Sequence, residues 1–104
     1  MATVQIPIPI DPNGNVSTSP VHVRHGYKVY WVAEDPTQTW FIYFDTPFTD
    51  HGIFTDPGNN GESNRLKVRK RIGMYSYTVS SSSDPTLSRT KHIFTGGGGI
   101  IIDN

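Results

Sequence analysis

Apolar and polar side chains alternate with a period of two along most of the chain, which is the pattern of half-buried β-strands. The clearest examples are residues 27–32, 39–44 and 74–79, where aromatic and aliphatic side chains occupy every second position. Turn-forming Gly, Pro, Asn and Asp residues separate these runs, and no window of useful length repeats apolar positions at helical spacing. The pattern therefore predicts an all-β protein of seven or eight short strands, built as a sandwich or a barrel.

The first predicted strand, residues 4–10, carries two prolines. Its aliphatic side chains fall on one face, whereas Pro7 and Pro9 fall on the other. Proline has no N–H to donate to a neighbouring strand. We therefore expect this strand to be irregular or to lie at the edge of a sheet.

Length, charge and cysteine content narrow the class of protein. The 104 residues fit one small domain, which we predict to span residues 1–104. Nine basic and nine acidic residues give a formal net charge of +0, which argues against a nucleic-acid partner. The absence of cysteine excludes disulfides, iron–sulfur clusters and thiolate metal ligands.

The sequence shows neither a membrane-spanning segment nor a secretion signal. No apolar run reaches the ~18 residues that a membrane helix needs, so we expect no membrane association. The N-terminal residues lack a basic stretch followed by an apolar block. A cytoplasmic location is therefore expected, unless a secretion leader has been removed.

Four segments spread over residues 3–103 carry a family resemblance. They read Val21-x-Val23-x-x-Gly26-x-x-Val29-x-Trp31, Ile42-x-Phe44-x-x-Pro47-Phe48, Gly73-x-Tyr75-x-Tyr77 and Ile100-Ile101-Ile102-Asp103. Their order and spacing resemble the cupredoxin-like domain family. The resemblance implies a cupredoxin-like Greek-key β-sandwich, closed by the aliphatic C-terminal strand.

The ligands of a type 1 copper site do not follow the family pattern. Blue-copper members use two His, one Cys and usually a Met, and the Cys follows the Tyr-x-Tyr strand. This chain reads Thr78-Val79-Ser80 there, and residues 81–90 contain neither His nor Met. At best one ligand, His51 after the Pro-Phe element, survives. Because the Cys–copper bond gives that site its electron-transfer role, the resemblance predicts a domain without type 1 copper.

The histidines leave a different metal site open. His22 and His25 stand near a strand end, and His51 with Asp50 lies in the long segment 45–63. Imidazole and carboxylate groups suit copper or zinc. Residues three apart on a strand point to opposite faces, however, so His22 and His25 diverge unless Gly26 starts the turn early. Either these are ordinary surface histidines with no cofactor, or they hold one copper or zinc ion.

No arrangement of residues favours an enzyme. The run Ser80–Ser83 lacks the strained strand-to-helix turn of a nucleophile elbow. The glycines 96–99 are followed by neither Lys-Ser/Thr nor a helix, so they do not form a phosphate-binding loop. We expect these glycines to allow close backbone approach or flexibility before a final strand at residues 100–102.

Aromatic and basic side chains indicate a contact surface. If the alternation directs Val29, Trp31, Trp40, Ile42 and Phe44 inward, then Tyr30, Phe41 and Tyr43 face outward, on strands that we expect to be adjacent. The aromatic group is either covered by Phe48, Ile53 and Phe54, or available to a protein or a sugar. Arg65, Lys67, Arg69 and Arg71 are predicted to project from one face of a strand, with Leu66 and Val68 on the other.

The basic strand has three interpretations. It is a solvent-facing strand that discourages edge pairing, it meets the acidic residues of a second copy, or it binds an anionic ligand. The acidic residues concerned are Glu34, Asp35, Asp45, Asp50, Asp56 and Glu62. We favour a non-enzymatic binding or assembly module with a protein partner, including self-association. The alternatives are a mononuclear histidine-ligated copper or zinc protein and a carbohydrate-binding module that uses Tyr30 and Tyr43.

Overall fold

The computed structural model describes residues 3–16, 19–44, 52–69, 71–81 and 94–103. Within these ranges the chain forms eight strands and one short 3-10 helix, Pro57–Asn59. The strands are β1 (Gln5–Ile10), β2 (Val21–Val23), β3 (Lys28–Ala33), β4 (Phe41–Phe44), β5 (Ile53–Phe54), β6 (Leu66–Lys67), β7 (Gly73–Ser80) and β8 (Phe94–Ile102). In the described ranges no helix has the length and apolar character needed to span a lipid bilayer.

The strands form two sheets. The first contains three strands in the order β1-β3-β6, and the second contains five in the order β2-β8-β7-β4-β5. β1 runs parallel to β3 and β2 runs parallel to β8, whereas the other pairs are antiparallel. Since β1, β2, β3 and β4 alternate between the sheets, the chain crosses repeatedly from one layer to the other. The all-β sandwich predicted from the alternation is confirmed.

The core lies between the two sheets and is dominated by rings. Val29, Trp31, Trp40 and Ile42 are buried as predicted, and Phe44 packs against them half-buried. The Trp31 ring meets the rings of Tyr77 and Phe44 edge-on, at centroid distances of 5.3 and 5.9 Å. Edge-to-face contacts of this kind add to the stability gained by burial alone.

β1 lies at an edge of the three-stranded sheet, which confirms the prediction from its prolines. The Val4 carbonyl accepts a hydrogen bond from the Lys28 N–H at 2.9 Å, and the Ile10 carbonyl accepts one from the Glu34 N–H at 2.8 Å. The polar groups of even-numbered residues therefore face β3, and those of Pro7 and Pro9 face away from the sheet. At that outer edge a missing N–H costs nothing and hinders pairing with a further strand.

β8 begins earlier than predicted, because the glycines 96–99 belong to the strand and pair with residues 76–79 of β7. An added Cβ on Gly98 would lie 2.7 Å from the Tyr77 hydroxyl and 2.9 Å from a Val16 methyl. This glycine thus allows the close approach of the buried Tyr77 ring to the β8 backbone. Close approach, rather than flexibility, explains the requirement for glycine at this position.

The segment from β5 to β6 is fastened to the sandwich by buried hydroxyl groups. Thr55 Oγ1 accepts a hydrogen bond from the Trp40 N–H at 2.8 Å, and Ser63 Oγ accepts one from the Trp31 N–H at 2.9 Å. Gly61 has φ +77° and would place a Cβ 2.9 Å from Pro36 Cα. This segment, which the sequence indicates only as a long loop with an apolar insert, therefore packs tightly against the end of β3.

Candidate binding surfaces

The outward side of the five-stranded sheet combines apolar side chains with a few polar ones; we call it the uncharged face. No Lys, Arg, Asp or Glu stands at any outward strand position whose side chain the structure describes. These positions carry His22, Phe41, Tyr43, Phe54, Met74, Ser76, Thr78, Gly99 and Ile101. A sheet face without charge requires little desolvation of ions when another protein covers it.

Two large side chains on the uncharged face are well exposed. Met74 is 59% exposed and Phe54 is 45% exposed. The Phe54 ring also lies 6.1 Å from the ring of Phe41, its register partner on β4, so the Phe54 ring shields part of the Phe41 ring. Of the two outcomes predicted for the aromatic group, partial cover by Phe54 is therefore observed, while Ile53 is buried in the core and Phe48 lies outside the described residues.

A glycine flattens the uncharged face beside Met74. An added Cβ on Gly99 would lie 2.7 Å from the Met74 methyl group, so this side chain rests over β8. Met is flexible and polarizable, and such side chains adapt to the shapes of different partners. The face is therefore flat at Gly99 and carries the adaptable apolar side chain of Met74 beside it.

The outward side of the three-stranded sheet is different, and we call it the charged face. It carries Gln5, Pro7, Pro9, Lys28, Tyr30, Val32 and Lys67, flanked by Glu62 and Arg65. Lys28 and Lys67 are register partners on antiparallel strands, so two like charges stand directly opposite each other. Like charges at directly opposed positions repel each other and destabilise a sheet.

Arg65 forms the centre of a cluster on the charged face. Its guanidinium carbon lies 3.9 Å from the Tyr30 ring centroid, and its Nη2 lies 2.7 Å from Glu62 Oε1. Its Nε–H donates a hydrogen bond to Gln5 Oε1 at 3.1 Å. Arg65 therefore ties β1, β3 and the segment before β6 together, through contacts within its own chain.

The structure divides the predicted contact surface between the two sheets. Tyr30 belongs to β3 of the three-stranded sheet, whereas Phe41 and Tyr43 belong to β4 of the five-stranded sheet. The expectation that these aromatic residues lie on adjacent strands is therefore wrong. Tyr30 and Tyr43 also face outward from opposite sheets, so they do not form one sugar-stacking platform.

The basic strand is shorter than predicted, since β6 is only Leu66–Lys67. The predicted alternation still holds around it. Lys67 and Arg69 are exposed, Leu66 is half-buried and Val68 is buried. Arg71 is also exposed but lies two residues before β7 begins.

The predicted metal ligands are only partly described. His22 lies on β2, with Nδ1 3.1 Å from Asp103 Oδ2, and both side chains are exposed. His25 follows in the next turn and is exposed, and His51 lies outside the described residues. Among the residues that the structure describes, no three His, Asp or Glu side chains are arranged to hold a metal ion. The metal site remains a prediction from the sequence.

Strand register shows where the chain leaves β4 and β7, the strands that carry the Ile-x-Phe and Tyr-x-Tyr segments. Phe41 pairs with Ser80 and Phe44 pairs with Tyr77, so β4 and β7 run in opposite directions. The connection that carries His51 leaves β4 at Phe44, whereas the chain leaves β7 beside the start of β4. At the position that the resemblance assigns to the copper thiolate, Val79 and Ser80 are both fully buried.

Charge is separated along β3. Glu34 and Asp35 follow its last residue, and Glu62 is bridged to Val32 near the same end. Thr37 donates to Asp35 Oδ1 through its hydroxyl at 2.7 Å and its N–H at 3.1 Å. These hydrogen bonds lower the pKa of Asp35 below its usual value, so this carboxylate stays ionised at neutral pH.

The sequence indicates the surface residues less clearly than the core. It shows Phe54 only as part of an apolar insert and Met74 only as one position of an alternating strand, and it does not indicate that either side chain is exposed. The signal available for the uncharged face is the absence of charge at alternate positions of residues 74–78 and 41–43.

Comparisons with known proteins agree with this architecture. No protein-family model matches the chain, and no curated protein matches it by sequence. Among solved structures, a Cu(I) form of a mutant amicyanin matches with a TM-score of 0.63 and 14% identity, over 99% of this chain and 86% of that chain. A chain of a heme-copper terminal oxidase dimer matches with a TM-score of 0.50 and 14% identity, over 96% of this chain. This protein spans 60% of that oxidase chain. The sandwich described above is thus a cupredoxin-like fold, as the sequence segments had predicted.

Proposed function

We propose that this protein is a non-enzymatic cupredoxin-like binding or assembly module that contacts proteins through its uncharged face. The observation that supports this most directly is the combination of exposed Phe54 and Met74 with the absence of Lys, Arg, Asp and Glu at the described outward strand positions. The centres of protein interfaces are likewise depleted in charge and enriched in aromatic residues and Met.

The predicted residues Phe41 and Tyr43 belong to this contact surface. Both are half-buried and lie on β4, next to the exposed Phe54 on β5. Rigid rings lose little conformational entropy on binding, and central aromatic residues often dominate the energy of an interface. In this proposal Phe54 and Met74 meet the partner first, and Phe41 and Tyr43 form the base beneath them.

The test is sedimentation velocity over a range of protein concentrations in about 0.5 M salt, where charge contacts are screened to a Debye length of a few ångströms. We expect the wild-type protein to self-associate and the variant Phe54→Ser/Met74→Ser to associate at least ~10-fold more weakly, a loss of about 1.4 kcal/mol. Val4→Ser is the matched control, because Val4, which precedes β1 and lies away from the uncharged face, is 46% exposed and Phe54 is 45% exposed. A wild-type protein that remains monomeric, or an equal loss in Val4→Ser, would contradict the proposal.

Native mass spectrometry of chelator-treated protein separates this proposal from the metal-binding alternative. We expect no stoichiometric uptake when Cu²⁺ or Zn²⁺ is added in slight excess. Uptake of one tightly held ion per chain that is lost in His51→Ala would replace the proposed function with a histidine-ligated metal site.

A further inference from the structure

Most of the described charged residues lie toward one or the other end of β3 according to their sign. At the end where β1 and β3 finish, the acidic residues are Asp11, Glu34, Asp35, Asp56 and Glu62. Backbone contacts connect this group, since the Glu34 N–H donates to the Ile10 carbonyl and the Asp56 N–H donates to the Glu62 carbonyl. We call this group the acidic end.

Basic residues gather where β3 starts. Lys28 is the first residue of β3 and pairs with Lys67, and Arg24 lies in the turn between β2 and β3. The Gly26 N–H donates to the carbonyl of Val68, which brings that turn beside the residue that precedes Arg69. Gly73 pairs with Ile102, whose parallel partner Val23 precedes Arg24, so Arg71 approaches the same end. We call Arg24, Lys28, Lys67, Arg69 and Arg71 the basic end.

The other described charges reduce this separation without cancelling it. Arg65 is paired with Glu62 and offsets one negative charge of the acidic end. The Asp103 N–H donates to the Val23 carbonyl, so Asp103 lies beside Arg24 and offsets one positive charge of the basic end. The charged residues outside the described ranges are three acidic and three basic ones, Asp45, Asp50, Lys70, Asp84, Arg89 and Lys91, and they sum to zero. Within the described residues the two ends therefore carry charge of opposite sign, separated by a strand about 20 Å long.

Stability alone does not account for the basic end. Placing Lys28 directly opposite Lys67 costs stability in the isolated chain, because like charges on paired positions repel. An acidic surface brought against both lysines would remove that cost. The acidic end of a second copy supplies such a surface, and the neutral net charge means that copies do not repel each other overall.

We infer that copies of this chain associate head to tail, with the acidic end of one copy against the basic end of the next. This inference rests on the proposed assembly role and adds the identity of the partner and the direction of the contact. Because unlike surfaces meet, the contact is heterologous and propagates as an open chain of copies or closes into a ring. It is separate from the uncharged face, which remains available at the side of each copy.

Charge reversal with complementation tests the inference. One variant, Lys28→Glu/Lys67→Glu, replaces two of the five positive charges of the basic end with negative ones, and a second, Glu34→Lys/Asp35→Asn, makes the acidic end less acidic while keeping an acceptor for Thr37. Both are made in the Phe54→Ser/Met74→Ser background, so that contacts through the uncharged face are already weakened. The measurement is sedimentation velocity at about 10 mM salt, where the Debye length is about 30 Å, repeated at about 150 mM, where it is about 8 Å.

We expect the parent to associate at low salt with sizes that grow with concentration, and to dissociate as salt is raised. Each reversed variant should associate at least ~10-fold more weakly alone, and mixing the two should restore association. Lack of salt-sensitive association in the parent, or no recovery on mixing, would overturn the head-to-tail inference. The high-salt experiment on the uncharged face is independent of this outcome, so failure of one proposal is distinguishable from failure of the other.

Discussion

The outer faces of the two sheets differ in how they carry charge and in how they are held. The charged face places Lys28, Lys67 and Arg65 around Tyr30, and much of it is occupied by contacts within the chain. The uncharged face exposes Phe54 and Met74. One sheet thus uses its outer side to hold strands together, while the other leaves apolar side chains in water, which is typical of a surface that binds a partner.

The difference extends to the sheet edges. On the three-stranded sheet, Pro7 and Pro9 face outward along the edge of β1 and oppose pairing with another strand. Addition of a further strand at β1 is therefore unfavourable, and another protein would more readily contact a face or an end of the sandwich than this edge. The three-stranded sheet thus has an edge blocked by prolines and an outer face held by contacts within the chain, whereas the five-stranded sheet exposes apolar side chains.

The largest expected effect separates the inner and outer sides of β8. Gly98→Ala should lower the free energy of unfolding by about 1–3 kcal/mol, because its Cβ would press on the buried Tyr77 ring and Val16. Gly99→Ala is the matched control, since the one tight contact of its Cβ would be with the tip of the flexible, exposed Met74, and a change within about 0.5 kcal/mol is expected. Urea unfolding measures both. Equal destabilisation would show that the uncharged face is as tightly packed as the core.

A smaller effect is expected on the charged face. Arg65→Ala should lower the free energy of unfolding by about 1 kcal/mol, because it removes the cation–π contact with Tyr30 and a partly exposed ion pair with Glu62. Arg69→Ala removes the same charge at an exposed position near β6 and should change stability by less than about 0.5 kcal/mol. If both variants lose the same stability, charge rather than the Arg65 cluster stabilises this face.

The sequence predicted the core better than the surfaces, for a physical reason. A period of two assigns each side chain to a face, so Trp31 and Ile42 were placed inward correctly, and the prolines of β1 placed that strand at an edge. The same period does not say which strands share a sheet. Tyr30 and Phe41 were therefore assigned to one surface, although β3 and β4 belong to different layers.

Long-range contacts also decided where the glycine-rich strand begins. Residues 96–99 have no side chains to reveal an alternation, and their pairing with β7 depends on Tyr77, which is far away in the chain. The candidate binding surface likewise depends on contacts between residues that are distant in the chain. The uncharged face gathers residues from five strands, and its continuity is visible only after the sheet order is known.

The smallest effect tests whether the two lysines on the charged face repel each other. Lys28→Thr, Lys67→Thr and the double variant form a thermodynamic cycle, in which the preference of Thr for strands appears in both parallel steps and cancels. We expect each single change to remove the repulsion, so that the two changes together stabilise the protein less than the sum of the single effects. The expected coupling is about 0.2–1 kcal/mol at low salt.

Salt then identifies the origin of this coupling. Repulsion between exposed charges should shrink as the Debye length falls from about 30 Å to about 3 Å between 0.01 and 1 M salt. A coupling that is zero, or that does not change with salt, would show that Lys28 and Lys67 avoid each other by turning away. Their pairing would then no longer favour an acidic partner at the basic end, and the argument for head-to-tail contact would rest on the separation of charge along β3 alone.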